Sequence, residues 1–215
     1  MKNSNTYYQL ILDKSGSMFN IIEQTIEGVN QQIMRIKEVA GRYPEQGIYT
    51  SLALFNHEFS QVWNRIPSAQ LQEISFSDYR PSGTTALLDA IGFSIIDMQR
   101  NIGEAIEHEE ASAVVVIFTD GYENASRAFT HSQVSSMIAD LESTGKWTFS
   151  YIGATLDAVE IAKNLNIKKE NAMHFSVNNT RMIFDKLDSA FENYIRNKSD
   201  NNLMNSNYFK EFDEQ

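Results

Sequence analysis

Residues Ala113–Phe118 read Ala-Val-Val-Val-Ile-Phe, an unbroken apolar run rich in β-branched side chains. A strand with one wet face alternates polar and apolar residues, so an unbroken run requires cover on both faces. Tyr7–Leu12 is a second such run. Between and after the two lie segments of helical period. Phe19–Ala40 places Ile22, Ile26, Val29, Ile33, Ile36 and Val39 on one stripe, and Thr85–Asn101 does the same with Leu88, Ile91, Ile95 and Met98. Buried strands alternating with amphipathic helices predict an α/β, doubly wound, Rossmann-like three-layer sandwich built on right-handed crossovers.

The remaining pattern fills in that sheet. Ile48–Phe55 and Glu58–Trp63 flank a tight turn at Asn56-His57, which predicts an antiparallel pair at one edge. Trp147–Ile152 and Ala172–Val177 complete a mostly parallel six-stranded sheet. Further helices are expected at Ser132–Ser143, Asp157–Leu165 and Thr180–Arg196. Gly41 and Pro44 are expected to end the first helix, and residues 64–84 read as irregular. Ile102–Ala111, with Glu104, Glu107, Glu109 and Glu110, reads as a solvated acidic stretch. The expected organisation is one domain over residues 1–198 and a polar, asparagine-rich tail over 199–215. Tyr8, Phe209 and Phe212 leave the docking of that tail open.

Composition narrows the class. A chain of 215 residues with 42% apolar and 21% charged residues suits one globular domain. The absence of cysteine excludes disulfides and thiolate metal sites and is compatible with a reducing compartment. The net charge of −10, without a Lys/Arg cluster, argues against nucleic acid as a partner. No leader-like segment precedes the first strand, and no apolar run reaches about 18 residues, so membrane is not an expected partner and the cytoplasm is the expected location.

The chemistry lies in three segments that follow or open these elements. Asp13-Lys14-Ser15-Gly16-Ser17 directly follows the first strand, offering a carboxylate and two hydroxyls spaced by two. Gly83-Thr84-Thr85-Ala86-Leu87-Leu88-Asp89-Ala90-Ile91 opens the second long helix, and Thr119-Asp120-Gly121 follows the Val-rich strand. These are hard oxygen donors, suited to Mg²⁺, Mn²⁺ or Ca²⁺ and poorly to zinc or copper. In an open parallel sheet such loops return to one rim beyond the carboxyl ends of the strands. From the residues alone, either of Thr84 and Thr85 can cap the helix while the other ligates.

In these three segments the chain resembles the von Willebrand factor type A family. Asp13-Lys14-Ser15-Gly16-Ser17 is similar to the Asp-x-Ser-x-Ser of its metal-ion-dependent adhesion site. The 83–91 segment is similar to Gly-Gly-Thr-x-Leu-x-Asp-Ala-Ile, with Thr84 where the family has its second glycine. Thr119-Asp120-Gly121 is similar to the family's Thr-Asp-Gly. The resemblance spans about residues 7–196 and implies a metal site of Asp13, Ser15, Ser17, Thr85 and Asp120. It implies Mg²⁺, with Mn²⁺ or Ca²⁺ as alternatives, and an open coordination position for an acidic side chain of an unidentified partner protein. It also implies a subunit or adaptor in a larger prokaryotic or phage assembly.

Blander readings stand beside these. Asp13 can make an Asx turn, Asp120 can satisfy loop amides, and Asp89 suits a helix start. Glu123 and Asn124 read as a solvated loop. His57, His108, His131 and His174 have no ligand spacing, and Trp63, Trp147 and Phe118 read as core. No serine elbow or nucleotide-binding glycine pattern is present, so an enzyme is not expected. The alternatives carried forward are a metal-dependent phosphohydrolase, weakened by Ser15 where a second Asp would be needed as the acid, and a degenerate structural domain.

Overall fold

The computed structural model describes residues 5–200 together with Tyr208 and Phe209, excepting the side chain of Val177. Six strands form one sheet: β1 (Asn5–Asp13), β2 (Ile48–Phe55), β3 (Phe59–Pro67), β4 (Ala111–Thr119), β5 (Trp147–Gly153) and β6 (Ala172–His174). Their order across the sheet is β3-β2-β1-β4-β5-β6. All neighbours run parallel except β2 and β3, whose antiparallel pairing makes one edge. The winding reverses between β1 and β4, and such a switch point opens a crevice beyond the carboxyl ends of the strands.

The helices are α1 (Ile22–Arg42), α2 (Leu87–Glu107), α3 (His131–Ser143), α4 (Ala158–Asn164) and α5 (Thr180–Ser199). Alternate residues of the central strands explain why their runs are unbroken. Leu10, Leu12, Val114, Val116 and Phe118 pack in a layer with α1 and α5. Ile11, Ala113, Val115 and Ile117 pack on the other face with α2, α3 and α4. Phe118 stacks on Phe175 and Phe184, with centroids 4.7 and 5.2 Å away. The absence of a side chain at Gly28 lets α1 approach the Phe184 ring, since a Cβ there would overlap it. Among the described residues no helix is long and apolar enough to cross a membrane.

Several element bounds differ from the sequence expectation. The first helix opens as a 3-10 turn, Gly16–Ile21, and α1 runs through Gly41 to Arg42, with Tyr43 as its cap. One helical glycine costs only about 1 kcal/mol, which the buried stripe of α1 outweighs. Helix α2 starts later, at Leu87, and continues to Glu107. Residues 102–107 are therefore its last turns, because Ile102 and Ile106 extend the buried row of Met98 at i+4 spacing. β6 is short, ending at His174.

Part of the expected tail packs on the domain. Tyr208 and Phe209 are buried with the α1/α5 layer. The Tyr208 ring lies 6.3 Å from that of Tyr194, and its N–H donates to Asn171 Oδ1 at 2.6 Å. Phe212 and the asparagines at 201, 202, 205 and 207 lie outside the described residues.

Candidate metal centre

β1 and β4 are paired in register as far as Leu12 and Phe118, so Asp13 and Thr119 emerge side by side at the carboxyl edge. The Thr119 hydroxyl donates to Asp13 Oδ2 at 2.6 Å, and the Ser15 N–H donates to Asp13 Oδ1 at 2.6 Å. Asp13 thus makes the expected Asx-type turn, and the same turn aims its carboxylate at the crevice. From the other side of the crevice, Asp120 Oδ1 accepts the Ser17 hydroxyl at 2.5 Å, and the two serine Oγ atoms are 3.2 Å apart.

Thr85 arrives from a remote part of the chain, and backbone pairing explains how. Ser82 N–H donates to the Lys14 carbonyl at 2.8 Å, and Gly16 N–H donates to the Gly83 carbonyl at 3.0 Å. Gly83 has φ of +76°, and a Cβ there would run into the His57 imidazole, so glycine suits this crossing on both counts. Asn56, buried in the β2–β3 turn, donates through Nδ2 to the Ser82 carbonyl and accepts Ala86 N–H on its own carbonyl. Asn124 then grips Thr85 from above: its Oδ1 accepts Thr85 N–H at 2.9 Å, and its N–H donates to the Thr85 carbonyl at 3.0 Å.

Gly121 measures the convergence. An ideal Cβ built on it would lie 3.2 Å from Thr85 Oγ1, 3.6 Å from Ser17 Oγ and 3.9 Å from Asp13 Oδ2. Oxygens from two loops therefore face one small volume, which stays open because residue 121 has no side chain, and Asp120 Oδ1 from the third loop lies 2.5 Å from Ser17 Oγ at its side. Asp13, Ser15 and Thr85 form a buried floor, at 0%, 2% and 3% exposure, whereas Ser17 is exposed and Asp120 half-buried. The structure brings all five expected residues together, and it leaves Thr84 exposed outside the cluster.

The electrostatics point to a cation. Burial pushes the Asp13 carboxyl up to about 6 against the opposing hydrogen bonds from Thr119 and Ser15, and the Asp120 charge adds to the rise. Burial likewise raises Asp120. Among the described residues neither carboxylate has a basic side chain in ion-pair contact. Two neighbouring carboxylates in a partly dry site are costly unless positive charge is shared between them. No group of three or more His, Asp or Glu side chains gathers among the described residues, so an ion here would rely on hydroxyls for the rest of its shell. That donor set fits a hard divalent cation that retains water.

Several supporting residues were not visible in the sequence reading. Tyr79, fully buried, donates its hydroxyl to the Asp13 carbonyl at 2.6 Å from the stretch read as irregular. Glu123 is not a free loop residue: its carboxylate accepts the N–H groups of Leu88, Ala125 and Ser126 and the Ser126 hydroxyl. Asp89 is structural, accepting the N–H groups of Arg127, Ala128 and Phe129. Neither threonine caps α2, whose N-cap is Ala86. Its first free N–H groups go instead to Glu123 and to the Ser126 hydroxyl. All four histidines are exposed, and His57 packs its imidazole against Gly83.

No family model and no curated protein matches the sequence. Solved structures do share its fold. A von Willebrand factor type A protein from Catenulispora acidiphila is 14% identical with a TM-score of 0.54, over 87% of this chain and 42% of that one. Proximal thread matrix protein 1 from the mussel byssus, with a zinc-occupied metal-ion-dependent adhesion site, is 16% identical with a TM-score of 0.57, over 88% and 46%. Manganese-loaded TRAP from Plasmodium vivax is 16% identical with a TM-score of 0.54, over 85% and 73%. The present chain spans less than half the length of the first two. At these identities the likeness defines the fold: this chain has the von Willebrand factor type A fold.

Proposed function

We propose that this chain is a divalent-metal-dependent protein-interaction module, using Asp13, Ser15, Ser17, Thr85 and Asp120 to hold Mg²⁺, with Mn²⁺ or Ca²⁺ as alternatives. The observation that carries the reading is the convergence of Asp13, Ser17 and Thr85 oxygens on the volume beside Gly121, with Asp120 Oδ1 against Ser17 Oγ. When bound, a divalent ion there supplies positive charge and at least one coordination position open to a partner's carboxylate. The residues set up the rest. Asp13 and Thr119 fix the floor, Asn124 holds Thr85 at depth, and Ser17 and Asp120 stand at the exposed side, where a partner can enter. Because the floor donors are largely neutral hydroxyls, they leave the ion electrophilic toward an added carboxylate.

The occupied adhesion sites named for the mussel and Plasmodium proteins support this reading by analogy. Membership of a larger assembly and cytoplasmic residence belong to the same proposal, and a cysteine-free chain is compatible with that location. Calorimetric titration of Mg²⁺, Mn²⁺ and Ca²⁺ into wild type, Asp13→Ala, Thr85→Ala and Thr84→Ala tests it. Binding by wild type and Thr84→Ala, lost in the other two, is the expected pattern. Equal heats in all four would reject the site.

A further inference from the structure

Three large apolar side chains stand in solvent around this centre. Phe19 is 67% exposed, Tyr122 56% and Leu156 95%. Each lies on a separate loop beyond the carboxyl edge. Phe19 follows Ser17 by two residues in the 3-10 turn after β1, Tyr122 follows Asp120 by two after β4, and Leu156 lies just past the end of β5. β1, β4 and β5 are consecutive in the sheet, and neighbouring strands are about 5 Å apart. With Ser17 Oγ 2.5 Å from Asp120 Oδ1 and the Tyr122 hydroxyl 3.0 Å from Asp157 Oδ1, the three loops that bear these side chains adjoin one another at the candidate cation seat. Single exposed apolar residues need no explanation, whereas several grouped around a polar seat mark an interaction surface.

One contact shows that part of this rim is held in place. The Tyr122 hydroxyl donates to Asp157 Oδ1 at 3.0 Å, tying the loop after β4 to the residue that follows Leu156. The bond uses the polar end of Tyr122 and leaves most of its ring in water. A fixed aromatic face loses little conformational freedom on binding, which is how interface anchors gain strength.

Resting on the docking reading above, we propose the chemistry of the partner: a protein segment presenting a carboxylate between large apolar side chains. The carboxylate meets the ion, and its apolar neighbours cover Phe19, Tyr122 and Leu156. Charge argues the same way. This chain carries a net charge of −10, so a uniformly acidic partner would be repelled everywhere except at the seat. An isolated acid set among apolar residues brings the one charge the seat takes and little repulsion elsewhere.

The test is to pan a random-peptide phage library on the full chain in Mg²⁺, elute with EDTA, and sequence the pools. Wild type is compared with Leu156→Ser and with the combined Phe19→Ser, Tyr122→Ser, Leu156→Ser variant. All three positions are exposed, and unchanged circular dichroism and Mg²⁺ heat show that fold and seat are kept. The expected wild-type pool is enriched in Asp or Glu with Phe, Trp, Leu or Ile adjacent. The expected triple-variant pool keeps the acid and loses the apolar neighbours. A peptide from the wild-type pool should bind Leu156→Ser about tenfold more weakly. Acid enrichment without apolar neighbours on wild type, or the same motif on the triple variant, overturns the rim while leaving metal docking intact. A pool without acidic enrichment overturns the docking reading and this proposal with it.

Discussion

Thr119 touches Asp13 through a single hydroxyl, yet that hydroxyl holds the oxygen that faces the crevice. Outer partners of this kind typically change metal affinity by 10–100-fold when removed. Thr119→Val, which keeps the shape and deletes the donor, should weaken Mg²⁺ by about tenfold or more in calorimetry while the far-ultraviolet circular dichroism stays unchanged. An unaltered affinity would show that Asp13 is positioned by the Ser15 turn alone. Gly121 makes the complementary case. A methyl there would occupy the space between Thr85 Oγ1, Ser17 Oγ and Asp13 Oδ2, and no positive φ stands in its way. Gly121→Ala is therefore expected to fold normally and to lose divalent binding, with a melting temperature no longer raised by added Mg²⁺. Both residues sit in the Thr-Asp-Gly segment that the sequence already singled out. Tyr79 does not, because nothing in a pattern of turns and prolines says that its hydroxyl will reach the Asp13 carbonyl.

The start of α2 shows how an element is held where the site needs it. Its own sequence provides no capping side chain, so the loop after β4 caps it from outside. Glu123 accepts Leu88 N–H, the Ser126 hydroxyl accepts Asp89 N–H, and Asp89 returns the support by accepting three N–H groups of that same loop. The exchange ties the segment bearing Thr85 to the segment bearing Asp120. Deleting one such carboxylate leaves several amides unsatisfied, at about 1–3 kcal/mol for each one that stays buried. Glu123→Ala should therefore lower stability by about 1–3 kcal/mol in urea unfolding, and also weaken Mg²⁺ because Thr85 is less firmly held. Loss of stability with undiminished Mg²⁺ affinity would separate the staple from the site. The helix was readable from its Leu88, Ile91, Ile95 and Met98 stripe. Its cap was not, since the capping groups come from more than thirty positions away.

For the whole molecule, the end of α5 is fastened at the opposite edge of the sheet from the candidate metal centre. Lys198 is 7% exposed, and its Nζ donates to the Asn5 carbonyl, Thr6 Oγ1 and Ser112 Oγ at 2.7, 2.7 and 2.9 Å. Burial drives its pKa down from 10.5 to about 7. The folded chain therefore releases this proton at a lower pH than the unfolded chain. Between about pH 7 and 10.5 the unfolded state binds more protons, so this group makes stability rise with pH, and its full cost is present below 7. Tyr194, raised to about 12 by burial, titrates above that window. Urea unfolding across pH 6–10 should show this rise in wild type and a flatter profile in Lys198→Met. Parallel profiles would mean that Lys198 keeps its proton through contacts with the three oxygens.

Local residue chemistry determined the layered α/β class, the antiparallel edge and the three oxygen-bearing loops, because hydrophobic period and turn residues are properties of neighbours in the chain. The same locality hid the extension of α2 through Ile106 and the return of Tyr208 and Phe209 to the core. Only tertiary structure decided those. Which side chain is buried, and which oxygen faces a shared volume, depends on strand register and loop crossings between segments tens of residues apart.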